Sequence, residues 1–362
     1  WRTIIERLNQ LRDLLDQEVG GLDSNIYAEQ REALQEAINI AEAELKSYSS
    51  GKVIGDMQQL FQSNMNGFTM GALAALVGLI ITLVAINAGA IELVRASIIG
   101  SILGNLLFVL GLSLLVGGIK HGVQRFDRHR VTVDATLTIL AAIVISIPSF
   151  FSQAIEPDFW RVEYLSLTTA VVVLVLYVLS IIYTLRLPKR EAAEGVGEPV
   201  THEAPLWSTS RALLIMGAAV VGLAVMSEFL VGTLETVSES FGLSEFFVGI
   251  VLVPIIGNVA EHMVAVQVAL KNQMDLSLSI ALGSSLQIAL FVAPVLVFIS
   301  LAMGHPMTLE FNNYEVIALF AASLVGAFVA LDGRSNWLEG SMLLAVYGIL
   351  ALGFYFLPNT VR

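Results

Sequence analysis

From Gly67 onward the chain is a succession of apolar runs, each about as long as a bilayer's hydrocarbon core is thick. Nine are counted, at about 67–88, 93–119, 130–153, 163–186, 211–240, 243–270, 276–303, 314–331 and 336–357. A straight helix needs roughly 20 residues to cross and satisfies its own backbone on the way. The runs therefore predict an all-α polytopic membrane protein of about nine transmembrane helices. Several are longer than the minimum and are expected to tilt or bend. Only 14% of residues are charged, against about 25% in soluble domains. A net charge of −12 is no footprint of a nucleic-acid partner. Zero cysteines exclude disulfides and thiolate metal sites.

Residues 1–66 differ. They carry six Lys/Arg and eleven Asp/Glu. Ile4, Leu8, Leu11 and Leu15 share one helical face, Gly20-Gly21 interrupts, and Leu34, Ala37, Ile38, Ala41 and Leu45 mark a second face. A polar helical segment outside the membrane is expected there. No signal peptide is visible, and the chain opens on Trp1, as a trimmed or partial sequence would. The longest later polar break, 187–210, reads as a cytoplasmic linker. The predicted organisation is thus 1–66, a first, incomplete transmembrane repeat at 67–186, the linker, and a second repeat at 211–362. Lys120, Arg125, Arg128, Arg130, Lys189, Arg190, Lys271 and Arg334 fall in loops on one side, while the opposite loops offer little beyond Arg161. The positive-inside rule then places the amino terminus in the cytoplasm and, with nine spans, the carboxyl terminus on the other side.

The halves repeat. Ala96-Ser97-Ile98-Ile99-Gly100-Ser101-Ile102-Leu103 matches Ser279-Ile280-Ala281-Leu282-Gly283-Ser284-Ser285-Leu286. The offset that pairs Gly100 with Gly283 also pairs Glu92 with Asp275 and Phe108 with Phe291. Five spans separate the copies, so they are inverted in the membrane. Inverted repeats around a polar midplane site are a transporter design.

Within 243–270 stands Gly257-Asn258-Val259-Ala260-Glu261-His262. A carboxylate at that depth costs about 2.5–3.5 kcal/mol on insertion scales. Pro254 removes the helical donor for the Ile250 carbonyl and Gly257 adds freedom, a loosening tolerated where a helix lines a cavity. Asn258 and Glu261, three apart, share a face and offer a hard, oxygen-only site that suits calcium or manganese. A buried carboxylate takes up a proton when no cation neutralises it, so one group can hold either. Ser284, Ser285 and Gln287, with the stripe Ser97, Ser101 and Asn105, can line the path, although small residues at such spacing also serve close helix packing. His262 can assist proton movement or act as a buried hydrogen-bond partner. Glu228 and Glu235, seven apart, share a face of the fifth span; Glu228 lies deeper and is expected in the ion pathway. Glu239 and Glu245 read as interfacial, and Glu339 with Trp337 as an end anchor.

These residues resemble the calcium/proton exchangers of the calcium/cation antiporter superfamily. The likeness is carried by Met226-Ser227-Glu228-Phe229-Leu230-Val231, Gly242 to Gly249, Gly257 to His262, Gly283-Ser284-Ser285-Leu286-Gln287-Ile288 and Asp332 to Gly340, with Gly100 to Leu107 in the first half. The resemblance implies an inverted-repeat antiporter core in a lipid bilayer, Ca²⁺ exchanged for H⁺, no cofactor and no enzyme activity. It gives Glu261 and Asn258 as the cation ligands, with Ser101, Asn105, Ser284 and Gln287 beside them. The family's first-repeat Gly-Asn-x-x-Glu reads Ala74-Ala75-Leu76-Val77-Gly78 here, so the first-repeat acid is missing. A second reading follows from that loss: a non-transporting scaffold or regulatory protein derived from an exchanger. A hydrolase reading finds no His-Glu-x-x-His and no Gly-x-Ser-x-Gly.

Overall fold

The structure is a computed structural model that describes residues 80, 82–155, 159–193 and 240–357, with positions 35, 39, 232, 233 and 238. The chain divides into a unit of residues 1–65 with 203–207 and a unit of 66–202 with 208–362. In the first unit Gln35 and Asn39 are helical and exposed, and Gln35 Nε2 donates to Asn39 Oδ1 at 3.1 Å. The rest of the predicted amino-terminal segment lies outside the described residues. So do the positions 74, 75 and 78, the 194–210 part of the linker, and Glu228, Glu235 and Glu239.

The second unit is helical. We label its elements α1 (Ile91–His121), α2 (Arg128–Ile155), α3 (Phe159–Ala193), α4 (Glu245–Gly257), α5 (Val259–Leu270), α6 (Met274–Ala302), α7 (Asn313–Ala330) and α8 (Trp337–Tyr355). A helical stretch at 82–87 precedes α1. Five of these helices are long and apolar enough to cross a bilayer, α4 and α5 together make a span bent by 59°, and α7 is a shorter apolar helix. α3 runs on to Ala193, into the stretch read from sequence as linker. Its charged and proline residues after 186 did not end it, because a helix leaving the apolar layer can continue in water.

The repeat is visible in the backbone. α1 starts at Ile91 and α6 at Met274, two positions that the Gly100–Gly283 offset pairs. The turns before them place Gly89 (φ 78°) and Asn272 (φ 61°), paired by the same offset, in the left-handed region. That conformation is routine for Gly and tolerated by Asn. Both helices contain a wide π-helical turn, Gly104–Val109 in α1 and Ile288–Val292 in α6, where backbone bonds join residues five apart.

Close packing sets the geometry around the centre. A Cβ on Gly100 would lie 2.0 Å from the Ile250 carbonyl oxygen and 2.7 Å from Pro254 Cγ, so only glycine lets α1 sit against α4. α1 also packs on α8, where Gly340 lies against the backbone of Gly111 and Leu115. α7 and α8 start with capping boxes, Asn312 with Glu315 and Asn336 with Glu339. The sequence reading of Glu339 as an end anchor thus has a specific form. At the end of the bundle holding the Lys/Arg-rich loops, β1 (Gln124–Arg125) pairs antiparallel with β2 (Arg334–Ser335). Buried Gln124 donates to Ala269 O at 3.1 Å and to Asn272 Oδ1 at 3.0 Å. Lys120 Nζ donates to Leu270 O at 2.9 Å, and His121 Nε2 lies 2.8 Å from the same oxygen. These groups satisfy the last carbonyls of α5, the helix that carries Glu261.

Candidate functional site

Asn258 is the point where one span becomes two. Its backbone (φ −106°, ψ 10°) leaves helical geometry between α4 and α5. Pro254 and Gly257 were read as loosening this segment, and the break falls one residue beyond Gly257. α5 then starts so that Glu261 stands in its first turn, where the positive end of the helix dipole faces a carboxylate.

The break opens onto a cavity. Among the described residues it is lined by polar Thr82, Ser97, Ser101, Asn258, Glu261, Ser284 and Gln287, and on its apolar side by Pro254 and its neighbours. The empty space amounts to about 550 Å³, its open mouth included. Asn258 Nδ2 donates to Ser101 Oγ at 3.3 Å, tying α4–α5 to α1. Ser284 Oγ donates to Glu261 Oε1, tying α5 to α6. Gln287 Nε2 donates to Tyr177 Oη at 3.4 Å, which brings in α3. Hydroxyl and amide groups from separate segments thus surround one carboxylate. Among the described lining residues Glu261 is the one ionisable side chain, and among the described residues no cluster of three or more His, Asp or Glu forms. The donor set is carboxylate, amide and hydroxyl oxygen, matched to a hard cation.

Six of the sequence-predicted residues meet here: Glu261, Asn258, Ser97, Ser101, Ser284 and Gln287. Three do not line the cavity. Asn105 is buried in the wide turn of α1, with its Nδ2 unpaired. The stripe Ser97, Ser101, Asn105 presumes 3.6 residues per turn throughout, whereas Asn105 falls within the π-turn that starts at Gly104 and the polar lining on α1 ends at Ser101. Ser285 donates to Ala281 O at 2.9 Å within its own helix. His262 is buried beside the Phe108 ring, whose centroid is 6.2 Å away in an edge arrangement, and its Nε2 has no partner. Sequence reasoning missed Thr82 and Tyr177. The repeat offset pairs Thr82 with Ala265, so the repeat carries no polar signal for it, and Tyr177 reads as one aromatic among many in an apolar helix.

A polytopic helical fold with inverted repeats and, among the described lining residues, one carboxylate at a broken span is the architecture of a membrane cation exchanger. The model of the sodium/calcium exchanger protein family matches residues 53–186 and 211–356, and the chain belongs to that family. It is 41% identical over 303 residues to a Ca²⁺/H⁺ antiporter of Synechocystis sp., covering 78% of this chain and 80% of that protein. It is 39% identical over 320 residues to the Ca²⁺/H⁺ antiporter ChaA of Bacillus subtilis, covering 86% and 89%. The solved structure of native YfkE superposes with a TM-score of 0.72 at 37% identity, covering 83% of this chain and 87% of that one. The H⁺/Ca²⁺ exchanger CAX shares the fold at a TM-score of 0.59 and 17% identity.

Proposed function

We propose that this chain exchanges Ca²⁺ for H⁺ across a membrane, with both ions competing for Glu261. The observation that carries the reading is the Glu261 carboxylate in a cavity among hydroxyl and amide groups, at a helix break held between α1 and α6. The named activities of relatives near 40% identity support it. In the cycle, Asn258 and Glu261 hold the cation, with Ser284, Ser101, Thr82 and Gln287 supplying neutral oxygens. When the cation leaves, a proton takes its place on Glu261, because an ionised carboxylate cannot stay uncompensated at that depth. His262 and Asn105 are buried outside the cavity lining, as packing support. Glu228 and Glu235 are assigned to the ion path on sequence grounds alone. The two repeats are taken as 67–186 and 211–362, with a cytoplasmic amino terminus and the carboxyl terminus on the opposite side, following the basic loops.

The test is calcium-dependent proton flux in vesicles with an imposed pH gradient. Glu261→Gln keeps the shape and removes the charge, and is expected to abolish the flux. Parent-like flux in that variant overturns the assignment. A second reading, a scaffold without transport, is favoured by one observation: Gly78 stands where the repeat offset would put the partner of Glu261. Absence of flux in the parent chain would select it.

A further inference from the structure

At the end of the bundle opposite β1 and β2, residues 307–311 form a short irregular strap between α6 and α7. Its Met307, Leu309 and Phe311 are buried. Its backbone is held by side chains from separate helices. Met307 N donates to Ser300 Oγ of α6 at 3.0 Å, Leu309 N to Ser166 Oγ of α3 at 3.1 Å, and Phe311 N to Ser149 Oγ of α2 at 2.8 Å. Arg95 of α1 donates to Glu310 O at 2.9 Å and to Thr308 Oγ1 at 3.3 Å, while it also pairs with Glu92. This one segment therefore gathers the ends of α1, α2, α3 and α6. At its two ends are Gly304 in the left-handed region (φ 78°) and the Asn312 cap of α7.

Two buried carboxyl groups lie one helical turn from residues at the strap, Glu163 from Ser166 and Glu315 from Asn312, and neither is fully paired. Glu163, one turn before Ser166 on α3, is 1% exposed and both its oxygens lack a partner. Glu315, in the first turn of α7, is 4% exposed; Oε2 accepts from Asn312 N at 2.8 Å, and Oε1 has no partner. Around Glu163, α6 is without ionisable side chains beyond Asp275 at its far start. The charged residues of α2, Arg128 to Asp134, also lie at the far end of their helix. Arg161 on its own helix and His305 on the loop are exposed. Around Glu315 the charges are Arg95 and Glu92 from α1, with Glu310 on the strap; Glu339 of α8 belongs to the opposite end. An ionised carboxylate buried without partners costs far more than a neutral one. The docked arrangement accordingly requires Glu163, and favours Glu315, in the protonated form.

We propose that the 307–311 strap is a proton-dependent closure for this end of the molecule, docked when Glu163 and Glu315 are neutral and released when they ionise. The sign follows from linkage: docking takes up protons, so it weakens as pH rises. Arg95 acts as the latch, through the Glu310 carbonyl and the Thr308 hydroxyl. The inference needs no transport and stands apart from the exchange reading.

Hydrogen exchange of the unmodified chain tests it directly, because the Leu309 and Phe311 amides are bonded only while the strap is docked. Their protection, corrected for intrinsic exchange rates, is expected to fall at least about tenfold from about pH 6 to about pH 8. In Glu163→Gln/Glu315→Gln it should stay high at both. Protection independent of pH in the parent overturns the proposal, as does a pH dependence that survives in the double variant. The cysteine-free sequence allows a second measurement that needs neither Gln variant: labelling of Met307→Cys by an impermeant maleimide, normalised to the unfolded chain. Labelling should be faster at the higher pH, and equal rates would likewise overturn the proposal.

Discussion

Gly100→Ala adds one methyl group where the structure has no room for it. The new Cβ would lie 2.0 Å from Ile250 O, 2.6 Å from Ile250 C and 2.7 Å from Pro254 Cγ, against at least 3.4 Å for ordinary contact. Two of those atoms are backbone and the third belongs to a rigid ring, so no side chain can swing aside. α1 and α4 must part by about 1 Å or more, and overpacking of this kind costs about 1–3 kcal/mol. The functional loss should exceed the stability loss, because Ser101 is the next residue along α1 and its Oγ accepts the bond from Asn258. A displacement near 1 Å at a reacting group can cost about 100-fold in rate. Gly104→Ala is the control. It sits one helical turn on, with nothing within 4 Å of its Cβ position, and alanine there gains up to about 1 kcal/mol of helix propensity.

Both variants would be reconstituted and compared for calcium uptake driven by a pH gradient, with thermal unfolding in detergent run in parallel. Gly100→Ala is expected to unfold earlier than the parent and to lose most of its uptake, and Gly104→Ala to match or exceed the parent's stability. Parent-like uptake and stability in Gly100→Ala would refute the claim that helix approach at Gly100 sets the site.

Gly78→Glu restores an acid at the position that the repeat offset pairs with Glu261, and should lower the calcium concentration needed for half-maximal uptake; an unchanged value means that position 78 does not face the cavity. Asn336→Ala removes the side chain that caps α8 through the Leu338 and Glu339 amides at 2.9 and 3.1 Å. It should cost about 0.5–2 kcal/mol, read as an earlier unfolding midpoint with calcium affinity unchanged.

Much of the site was legible because its determinants are chemical. A carboxylate in an apolar run, a proline shortly before a glycine, and an Asn one helical turn from a Glu are features of residue type. Each carries its physical consequence: a buried charge, a missing backbone donor, a shared helical face. The repeat was legible for the same reason, since Gly100 and Gly283 mark equivalent positions. Arg95, Glu163 and Glu315 were passed over because the apolar runs around them were read for length and hydropathy, which average single charges away. Their surroundings are long-range: Arg95, early in the first repeat, reaches the 308–310 segment late in the second, and no local pattern announces such a partner.

The wide turns show why the fate of Asn105 could not be read from spacing. Hydropathy does not mark the wide turns: apart from Asn105, Gly104–Val109 and Ile288–Val292 hold only apolar residues and glycine, as an α-helical stretch there would. The difference is angular. A turn with one extra residue shifts everything beyond it around the axis while leaving the apolar character untouched. In α1 the wide turn begins after Ser101, which reaches the cavity, and includes Asn105, which does not. In α6 it falls just after Gln287, the last polar residue to face Glu261's cavity before the helix turns apolar. Each repeat thus ends its polar lining at the same structural mark. The polar lining ends along α1 and α6 where the helical pitch changes, while Ile288 and Val292 of the α6 turn carry the cavity wall on as apolar residues; polarity alone does not draw that boundary, since Asn105 is as polar as the residues inside it.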